Sequence, residues 1–598
     1  MADYFLFARR SAAIRDSSQI LGMFLDAHAA CGIVARTMKY LFLGFFRLLF
    51  VSFAVWAQSN ENVAPDQKAC AALADAIDSS LSIQSAEFVR PPFNTFARGT
   101  AGPQITVNVP FCRVAGTIKP TADSDIHFEL WLPPQSDWNS KFQGVGSGAT
   151  RGSIEYQRLM QGLARGYATV STDSGHRSSS GFDVSWALNH PERVVDFGYR
   201  AQHLATRAAK TLTQRFYGRA PLHSYFVGCS QGGHHGLMEA QRFPEDYDGI
   251  IAGAPVYDLV GEMTEQAWNV RALQQTPARA LPAEKLLLLH QAVVKACGGP
   301  DGLVEDPRKC SFDPATLKCG APAQSPCLTD GEVTAVLQMY AGPKTRAGDR
   351  IYPGLSRGSE SGWDRLWSNP KELGGSWLGF YRFMVYQNPS WDLSMLDFDR
   401  DPSVAEQKVG RALNPSNPDL SGFAKRGGKI IIYHGWADDM VPSQVSTDYY
   451  DSVNSKLGAK QLEVFYRLFM IPGMWHCSSG PDVLFRSEDA VAIPLEPERD
   501  MLTALEQWVE QNRAPNSFVA SRLNKDGTIE RTHLLCAIRC SQNIVVKEMS
   551  CGPRALRARN EGLDSDIEPP VASSCEYYLP VGGCSTMIST QDGYFAER

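Results

Sequence analysis

The sequence of 598 residues lacks the marks of several large functional classes. It has 58 Lys and Arg residues against 64 Asp and Glu residues, so no excess of positive charge points to a nucleic-acid partner. No repeat of about 20–50 residues is visible, which argues against solenoid and propeller architectures. None of the cysteines has the spacing of a zinc site, and the glycine-rich loop Gly144–Gly148 lacks the Gly-Lys-Ser/Thr ending of a phosphate-binding loop. With 43% hydrophobic and 20% charged residues, the composition is that of an ordinary globular protein, and the length predicts more than one structural unit.

The sequence also lacks an uninterrupted apolar run near its beginning that is long enough to span a membrane. Residues 38–57 have a short basic start at Met38, an apolar stretch divided by Arg47, and small residues before Gln58. A membrane span needs about 20 apolar residues, whereas this pattern is typical of a signal peptide. We expect Met38 to be the true start, residues 1–37 to be a mistaken extension, and cleavage to occur near Ala57; a membrane anchor is the alternative. The prediction is a secreted or periplasmic protein with no membrane contact after cleavage.

Cysteine, by contrast, is abundant, with 14 residues. Because cytosolic thiols stay reduced, cysteines paired at short spacings favour an oxidising compartment. The expected disulfides are Cys297 with Cys310, Cys319 with Cys327, Cys575 with Cys584, and Cys70 with Cys112.

Alternating strand and helix patterns predict an α/β fold with a mostly parallel sheet. The pattern lapses after Pro255 and returns at Lys429, which indicates an insertion. We therefore expect an α/β-hydrolase core made of residues 58–255 and 411–535, a large inserted lid domain over 256–410, and a divergent tail over 536–598. The lid has eight aromatic residues between Trp363 and Trp391, which form either the lid's own core or an aromatic-binding cleft.

The segment Gly228-Cys229-Ser230-Gln231-Gly232 has the pattern G-x-S-x-G, which is typical of a serine raised on a tight turn between a strand and a helix. We predict that Ser230 is a nucleophile. An oxyanion hole then needs two backbone N–H groups. We expect one from Gln231 and the other from Gly148, although an ordinary flexible turn is the alternative for the Gly148 loop.

A serine nucleophile needs a histidine base within hydrogen-bond reach. In this fold the base comes late in the chain, after the acid. Of the 12 histidines, His476 fits best because it follows the last predicted strand. His234 and His235 lie on the helix after Ser230, where we expect a packing or surface role, and His434 is expected to shape the turn of the acid.

The orienting carboxylate should follow the strand that begins at Lys429. Asp438 and Asp439 both lie in the next turn, and we predict Asp438 as the acid and Asp439 as a solvent-facing residue. Asp173, after an earlier strand, is better suited to holding a loop.

A cysteine adjoins each predicted reactive residue, since Cys229 precedes Ser230 and Cys477 follows His476. If these cysteines form one disulfide, it ties the turn of the nucleophile to the loop of the base. Such a bond requires Cα atoms within about 7 Å of each other.

These segments resemble the tannase and feruloyl esterase family. The similar segments are 225–233 around the serine, 238–250 behind it, the acid turn His434-Gly435-x-x-Asp438, and Pro472-Gly473-Met474-x-His476-Cys477; the similarity extends from Cys70 to Pro515. The resemblance implies that Ser230, Asp438 and His476 form a catalytic triad and that Cys229–Cys477 is an active-site disulfide. It also implies that the lid closes over an aromatic acyl group.

Two departures from the family pattern matter. Members often have a calcium loop between the cysteines that match Cys297 and Cys310, but here this loop is short and has few acidic residues. Asp301 and Glu305 would be the ligands, and a surface turn is the alternative, since calcium takes six to eight oxygens. No cofactor is expected for the chemistry itself. After Cys536 the chain stops resembling the family, and Cys540, Cys551, Cys575 and Cys584 do not fall in the expected places.

The predicted function is that of a secreted carboxylic ester hydrolase, similar to feruloyl esterase and tannase. The expected substrates are small aromatic esters or the esters of plant polysaccharides and tannins, with ferulate-like acyl groups first, galloyl groups second and terephthalate-like groups third. The alternatives are a serine peptidase of the same fold and a secreted binding protein without activity.

Overall fold

The computed structural model describes residues 65–76, 80–178, 180–320, 326–368, 375–477, 495–524 and 529–538. The predicted extension, signal peptide and tail from residue 539 lie outside the described residues, as does the predicted pair Cys575–Cys584. The described strands are β1 Leu81–Val89, β2 Phe93–Arg98, β3 Ala101–Val107, β4 Phe111–Ile118, β5 Ile126–Leu132, β6 Lys141–Val145, β7 Ala168–Thr172, β8 His223–Cys229, β9 Gly249–Gly253, β10 Lys429–Gly435, β11 Tyr466–Ile471, β12 Ser517–Leu523 and β13 Ile529–Cys536.

The described helices cover the faces of the sheet and build the insertion. They are α1 over 65–71, α2 Tyr156–Ala164, α3 Pro191–Val195, α4 Ala201–Tyr217, α5 Gln231–Arg242, α6 Leu259–Leu273, α7 Ala283–Cys297, α8 Asp330–Ala341, α9 Asp364–Trp367, α10 Ser376–Gly379, α11 Asp401–Ala405, α12 Arg411–Leu413, α13 Ser421–Lys425, α14 Gln444–Leu457, α15 Ala459–Phe465 and α16 Met501–Gln511. Short segments with π turns connect α3 to α4 and α11 to α12, and another follows α10. Each helix in the described part of the chain is too short or too polar to cross a membrane.

A single sheet of nine strands organises the described part of the core, in the order β1-β4-β5-β7-β6-β8-β9-β10-β11. Strands β7 to β11 of this order pair in parallel, whereas β1, β4 and β5 extend the sheet with antiparallel pairs. All residues of β7, β9 and β10 are buried, as expected for strands that helices cover on both faces. The predicted α/β-hydrolase core is thus confirmed.

The segment before residue 110 contributes more to the fold than its sequence pattern indicates. β1 forms the edge of the main sheet beside β4, and β2 and β3 form a separate hairpin. The disulfide Cys70–Cys112, with Cα atoms 5.6 Å apart, joins the start of this segment to β4. The segment is therefore joined to the main sheet by strand pairing and by a disulfide.

Within the described residues, no strand of the main sheet lies between β9 and β10, and this interval holds the inserted lid. Six of its eight clustered aromatic side chains are at most 4% exposed, namely Trp363, Trp367, Trp377, Phe380, Tyr381 and Trp391. The Tyr381 ring stacks on Trp391 with centroids 5.0 Å apart. These six residues form the lid's own core, the first of the two alternatives.

The exact domain limits remain predictions. Ala537 and Ile538 still hydrogen-bond to the core, through Asn516 and Leu468.

Candidate active site

Ser230 lies at the carboxyl end of β8, on a sharp turn that leads directly into α5. Its backbone has φ 62° and ψ −122°, a conformation that is strained for a residue with a side chain. The turn is tight because a Cβ atom on Gly228 would lie 2.4 Å from the carbonyl oxygen of Gly232. The Ser230 N–H donates to the carbonyl of Gly253 on β9 at 2.9 Å. The neighbouring glycines therefore permit the raised, strained serine that the sequence pattern predicts.

Asp438 and His476 come together from the carboxyl ends of β10 and β11. His476 Nδ1 lies 2.8 Å from Asp438 Oδ2, and the Asp438 side chain is completely buried. Asp438 Oδ1 accepts hydrogen bonds from the backbone N–H groups of Met440 and Val441, both at 2.9 Å. His434 supports the acid directly, since its Nε2 lies 3.1 Å from Asp438 Oδ2.

The electrostatics of this pair match an orienting acid and its base. Burial alone would raise the pKa of Asp438, but the nearby His476 and the hydrogen bond from His434 hold it well below its ordinary value. Burial alone would lower the pKa of His476, but the charge and hydrogen bond of Asp438 raise it above its ordinary value. Asp438 therefore remains a carboxylate, and His476 is a stronger base than a free histidine.

A disulfide connects the turn of the serine to the loop of the histidine. Cys229 and Cys477 are bonded, with Cα atoms 5.9 Å apart, which confirms this pairing. Ser230 and His476 are the immediate neighbours of the two bonded cysteines. The structure thus brings together the two distant segments that the sequence singles out.

Two further disulfides confirm predicted pairs. Cys297–Cys310 and Cys319–Cys327 have Cα atoms 5.5 and 5.0 Å apart.

The prediction that Asp439 points into solvent is wrong. Its side chain is fully buried and forms a bidentate ion pair with Arg365 of the lid, with Arg365 Nη2 2.5 Å from Oδ1 and Nε 2.9 Å from Oδ2. Asp439 Oδ1 also accepts a long hydrogen bond, 3.4 Å, from the backbone N–H of His476. The Arg365 guanidinium lies 5.0 Å from the centroid of the Trp475 ring. No local pattern in the sequence signals this contact between the lid and the loop of the base.

The two histidines on α5 have structural roles, as predicted. His234 and His235 are buried, and their Nε2 atoms lie 2.9 and 3.0 Å from the carbonyl oxygens of Gly198 and Phe197. Asp173 holds a loop, since its Oδ1 accepts hydrogen bonds from the backbone N–H groups at positions 127 and 175. None of these three side chains is in contact with the Asp438–His476 pair in the described structure.

The loop after β6 packs against the turn of the nucleophile. A Cβ atom on Gly146 would lie 2.5 Å from the Cα atom of Gly232, and the Gly146 N–H donates to the carbonyl of Val227 at 3.1 Å. Gln231 is the first residue of α5, where N–H groups lack intrahelical partners. Gly148 lies two residues beyond Gly146, and its oxyanion role remains a prediction.

Asp301 and Glu305 lie close to each other and to a third possible metal ligand. The third member of the cluster is His533 of β13, whose ring nitrogens lie 3.7 Å from Asp301 Oδ2 and from Glu305 Oε1. These three side chains could hold a metal ion, and calcium binding by Asp301 and Glu305 remains a prediction. His533 could not be predicted from the loop pattern because it lies more than 200 residues from the loop.

The parallel sheet, the strained serine and the buried Asp438–His476 pair are those of an α/β-hydrolase. Its relatives, named below, make it a carboxylic ester hydrolase. A family model described as "Tannase and feruloyl esterase" matches residues 112–540, so the chain belongs to the tannase and feruloyl esterase family. This match begins after Cys70 and continues beyond Pro515, so the resemblance covers a later part of the chain than the motifs indicate.

Individual relatives agree with this assignment. An uncharacterized esterase of Xanthomonas campestris pv. campestris is 36% identical over 71% of this chain and 80% of its own length. A probable feruloyl esterase B-1 of Aspergillus fumigatus is 32% identical over 73% of this chain and 83% of its own length. The crystal structure of feruloyl esterase B from Aspergillus oryzae superposes with a TM-score of 0.72 at 29% identity, covering 79% of this chain and 95% of that one.

Proposed function

We propose that this esterase hydrolyses esters of aromatic acids through a covalent acyl-enzyme, with Ser230 as nucleophile, His476 as base and Asp438 as the orienting acid. The observation that carries the proposal is the buried Asp438–His476 pair, joined by the Cys229–Cys477 disulfide to the strained turn of Ser230. The relatives named as feruloyl esterases support an aromatic acyl group.

The reaction follows from this arrangement. Because His476 Nδ1 is bonded to Asp438, its Nε2 is left to take the proton of Ser230 as the hydroxyl attacks the ester carbonyl. The backbone N–H groups of Gln231 and Gly148 stabilise the resulting oxyanion. His476 then gives the proton to the departing alcohol, and a water molecule activated by His476 cleaves the acyl-enzyme. These protein groups supply the nucleophile, base and oxyanion donors, so the proposed reaction uses no cofactor.

A panel of three esters tests the proposal: methyl ferulate, methyl gallate and mono(2-hydroxyethyl) terephthalate, each assayed with wild-type protein and with Ser230→Ala. We expect turnover in the order given, and none by the variant. A matched anilide of ferulic acid tests the peptidase alternative, since faster cleavage of the anilide than of the ester would contradict an esterase. Failure of the wild type to react with a fluorophosphonate probe would favour a binding protein without activity.

We further propose that the protein is exported. The four disulfides in the described residues fit an oxidising compartment. Amino-terminal sequencing of the protein recovered from the culture medium or periplasm tests the expected cleavage after Ala57.

A further inference from the structure

Helix α6 of the lid carries a row of buried polar side chains on one face. Glu262, Glu265 and Asn269 lie three and four residues apart, a spacing that places side chains on the same side of a helix. They are 5%, 0% and 0% exposed, respectively. A polar face on a helix normally meets water, so a buried one needs polar partners.

These side chains are only partly satisfied within the described structure. Glu262 Oε1 accepts from Gln266 Nε2 at 3.2 Å, and Glu265 Oε1 accepts from Asn269 Nδ2 at 2.6 Å. The other carboxyl oxygen of each glutamate has no hydrogen-bond partner among the described residues, and neither has Oδ1 of Asn269. The hydroxyl of Tyr352, whose ring packs against Gly261 on the same helix, is also buried without a partner there. Buried polar groups normally have hydrogen-bond partners, so the concentration of unpartnered groups on one helix face points to a role in binding a polar group.

The link that leads into α6 lies next to the turn of Ser230. The helix begins six residues after β9, the strand between β8 of the nucleophile and β10 of the acid. The link from β9 to α6 touches the turn of the nucleophile, because a Cβ atom on Gly233 would lie 2.6 Å from the carbonyl oxygen of Gly253 and 3.0 Å from Pro255.

Glu262 interacts electrostatically with both His476 and Asp438. Burial raises the pKa of Glu262 to about 8, while the charge of His476 lowers it and that of Asp438 raises it. Glu262 in turn contributes to the raised pKa of His476. At neutral pH, Glu262 is therefore largely protonated, and the proposed mechanism does not use it.

We propose that the Glu262 carboxyl group hydrogen-bonds a hydroxyl group on the aromatic acyl part of the substrate, which makes Glu262 a specificity-determining residue. The inference rests on the proposed function and narrows it to esters of hydroxylated aromatic acids. A neutral carboxyl group has one donor and further acceptor capacity, as a phenolic hydroxyl has, so the two groups form a matched pair.

The test compares two esters that differ by one hydroxyl group, methyl ferulate and methyl 3-methoxycinnamate. We expect wild-type protein to favour methyl ferulate in kcat/KM by about 10-fold, the difference that one buried hydrogen bond provides. Glu262→Met removes the hydrogen-bonding group at similar length and should bring the ratio close to one, mainly by lowering kcat/KM for methyl ferulate. Glu262→Gln keeps a donor and an acceptor and should retain most of the preference.

Glu360→Gln is the matched control, because Glu360 is a fully buried carboxylate of the lid whose oxygens already have partners in Tyr340 and His290. This variant should leave the ratio unchanged. Equal losses of kcat/KM for both esters in Glu262→Met would overturn the inference. A wild-type ratio close to one would also overturn it, and that measurement does not depend on the folding of any variant. If the wild type hydrolyses neither ester and does not react with a fluorophosphonate, the proposed function itself fails, and the inference falls with it.

Discussion

The disulfide between Cys229 and Cys477 gives the sharpest prediction, because it should affect stability and catalysis through different physical effects. Replacing both cysteines with alanine opens a loop of 248 residues. A chain-entropy estimate for a loop of this length gives a loss of about 5 kcal/mol in the free energy of unfolding. The same replacement releases the loop that holds His476. A displacement of about 1 Å at a catalytic group can cost about 10²-fold in rate, so we expect kcat/KM to fall by that order.

The pair Cys319 and Cys327 provides a matched control with the same chemistry. It closes a loop with a sequence separation of only 8, for which the same estimate gives about 2.5 kcal/mol. This pair lies in the lid, and neither cysteine adjoins a predicted catalytic residue. The control double variant should therefore lose less stability and keep its kcat/KM.

Unfolding of the two double variants by urea is followed by tryptophan fluorescence. Their kcat/KM values for methyl ferulate are measured without urea, at a temperature where the far-ultraviolet circular dichroism of both variants matches that of the wild type. Labelling by a fluorophosphonate reports the fraction of competent serine. If Cys229→Ala/Cys477→Ala keeps kcat/KM within about 3-fold of the control, the disulfide does not position His476 and the reasoning is wrong. A stability loss no larger than that of the control would refute the loop-entropy argument separately.

Three further predictions concern the reactive groups and their support. Ser230→Ala should lower kcat by about 10⁵–10⁶-fold with an unchanged melting temperature, which an ester assay and circular dichroism check together. Asp438 raises the pKa of His476, and the neutral imidazole is the base, so kcat/KM should fall with decreasing pH, with a midpoint above pH 6.5. In Asp438→Asn the midpoint of the pH dependence of fluorophosphonate labelling should move to lower pH. An unchanged midpoint would contradict this prediction. Arg365→Ala leaves the buried Asp439 carboxylate unpaired and should lower the free energy of unfolding in urea by about 2 kcal/mol, less than for a fully buried pair because Arg365 is 39% exposed. Adding Asp439→Asn should recover part of that loss. Strictly additive losses would show that the two residues are not coupled.

The parts of the site that could be predicted are those for which local sequence carries the geometry. Ser230 is recognisable because a tight strand-to-helix turn needs small residues on both sides, and the glycines provide them. Asp438 and His476 follow from the order of the chain, since each comes directly after a strand of a parallel sheet. The Cys229–Cys477 pair could be named for the same reason: it joins two segments that the chemistry already requires to meet.

The parts that could not be predicted depend on distant partners. Asp439 looks like a solvent-facing neighbour of the acid until Arg365, 74 residues earlier, is placed beside it. Glu262 and Glu265 read as the polar side of a surface helix, and only the fold shows that this side faces inward. His533 likewise joins Asp301 and Glu305 through a hairpin whose position has no signal in the calcium-loop pattern.

The lid and the sheet contribute different groups to the candidate active site. The sheet supplies the serine, the acid and the base from the carboxyl ends of β8, β10 and β11, and these strands are hydrogen-bonded neighbours through β9. The lid contacts this end of the sheet in two ways. Helix α6 follows β9 in the chain, and Arg365 forms an ion pair with Asp439. Helix α6 carries Glu262, the group that we propose contacts the acyl part of the substrate, whereas Arg365 connects the lid to the loop of His476 through Asp439. Substitutions on α6 should therefore change which ester is preferred, and substitutions at Arg365 should change the rate for all esters alike.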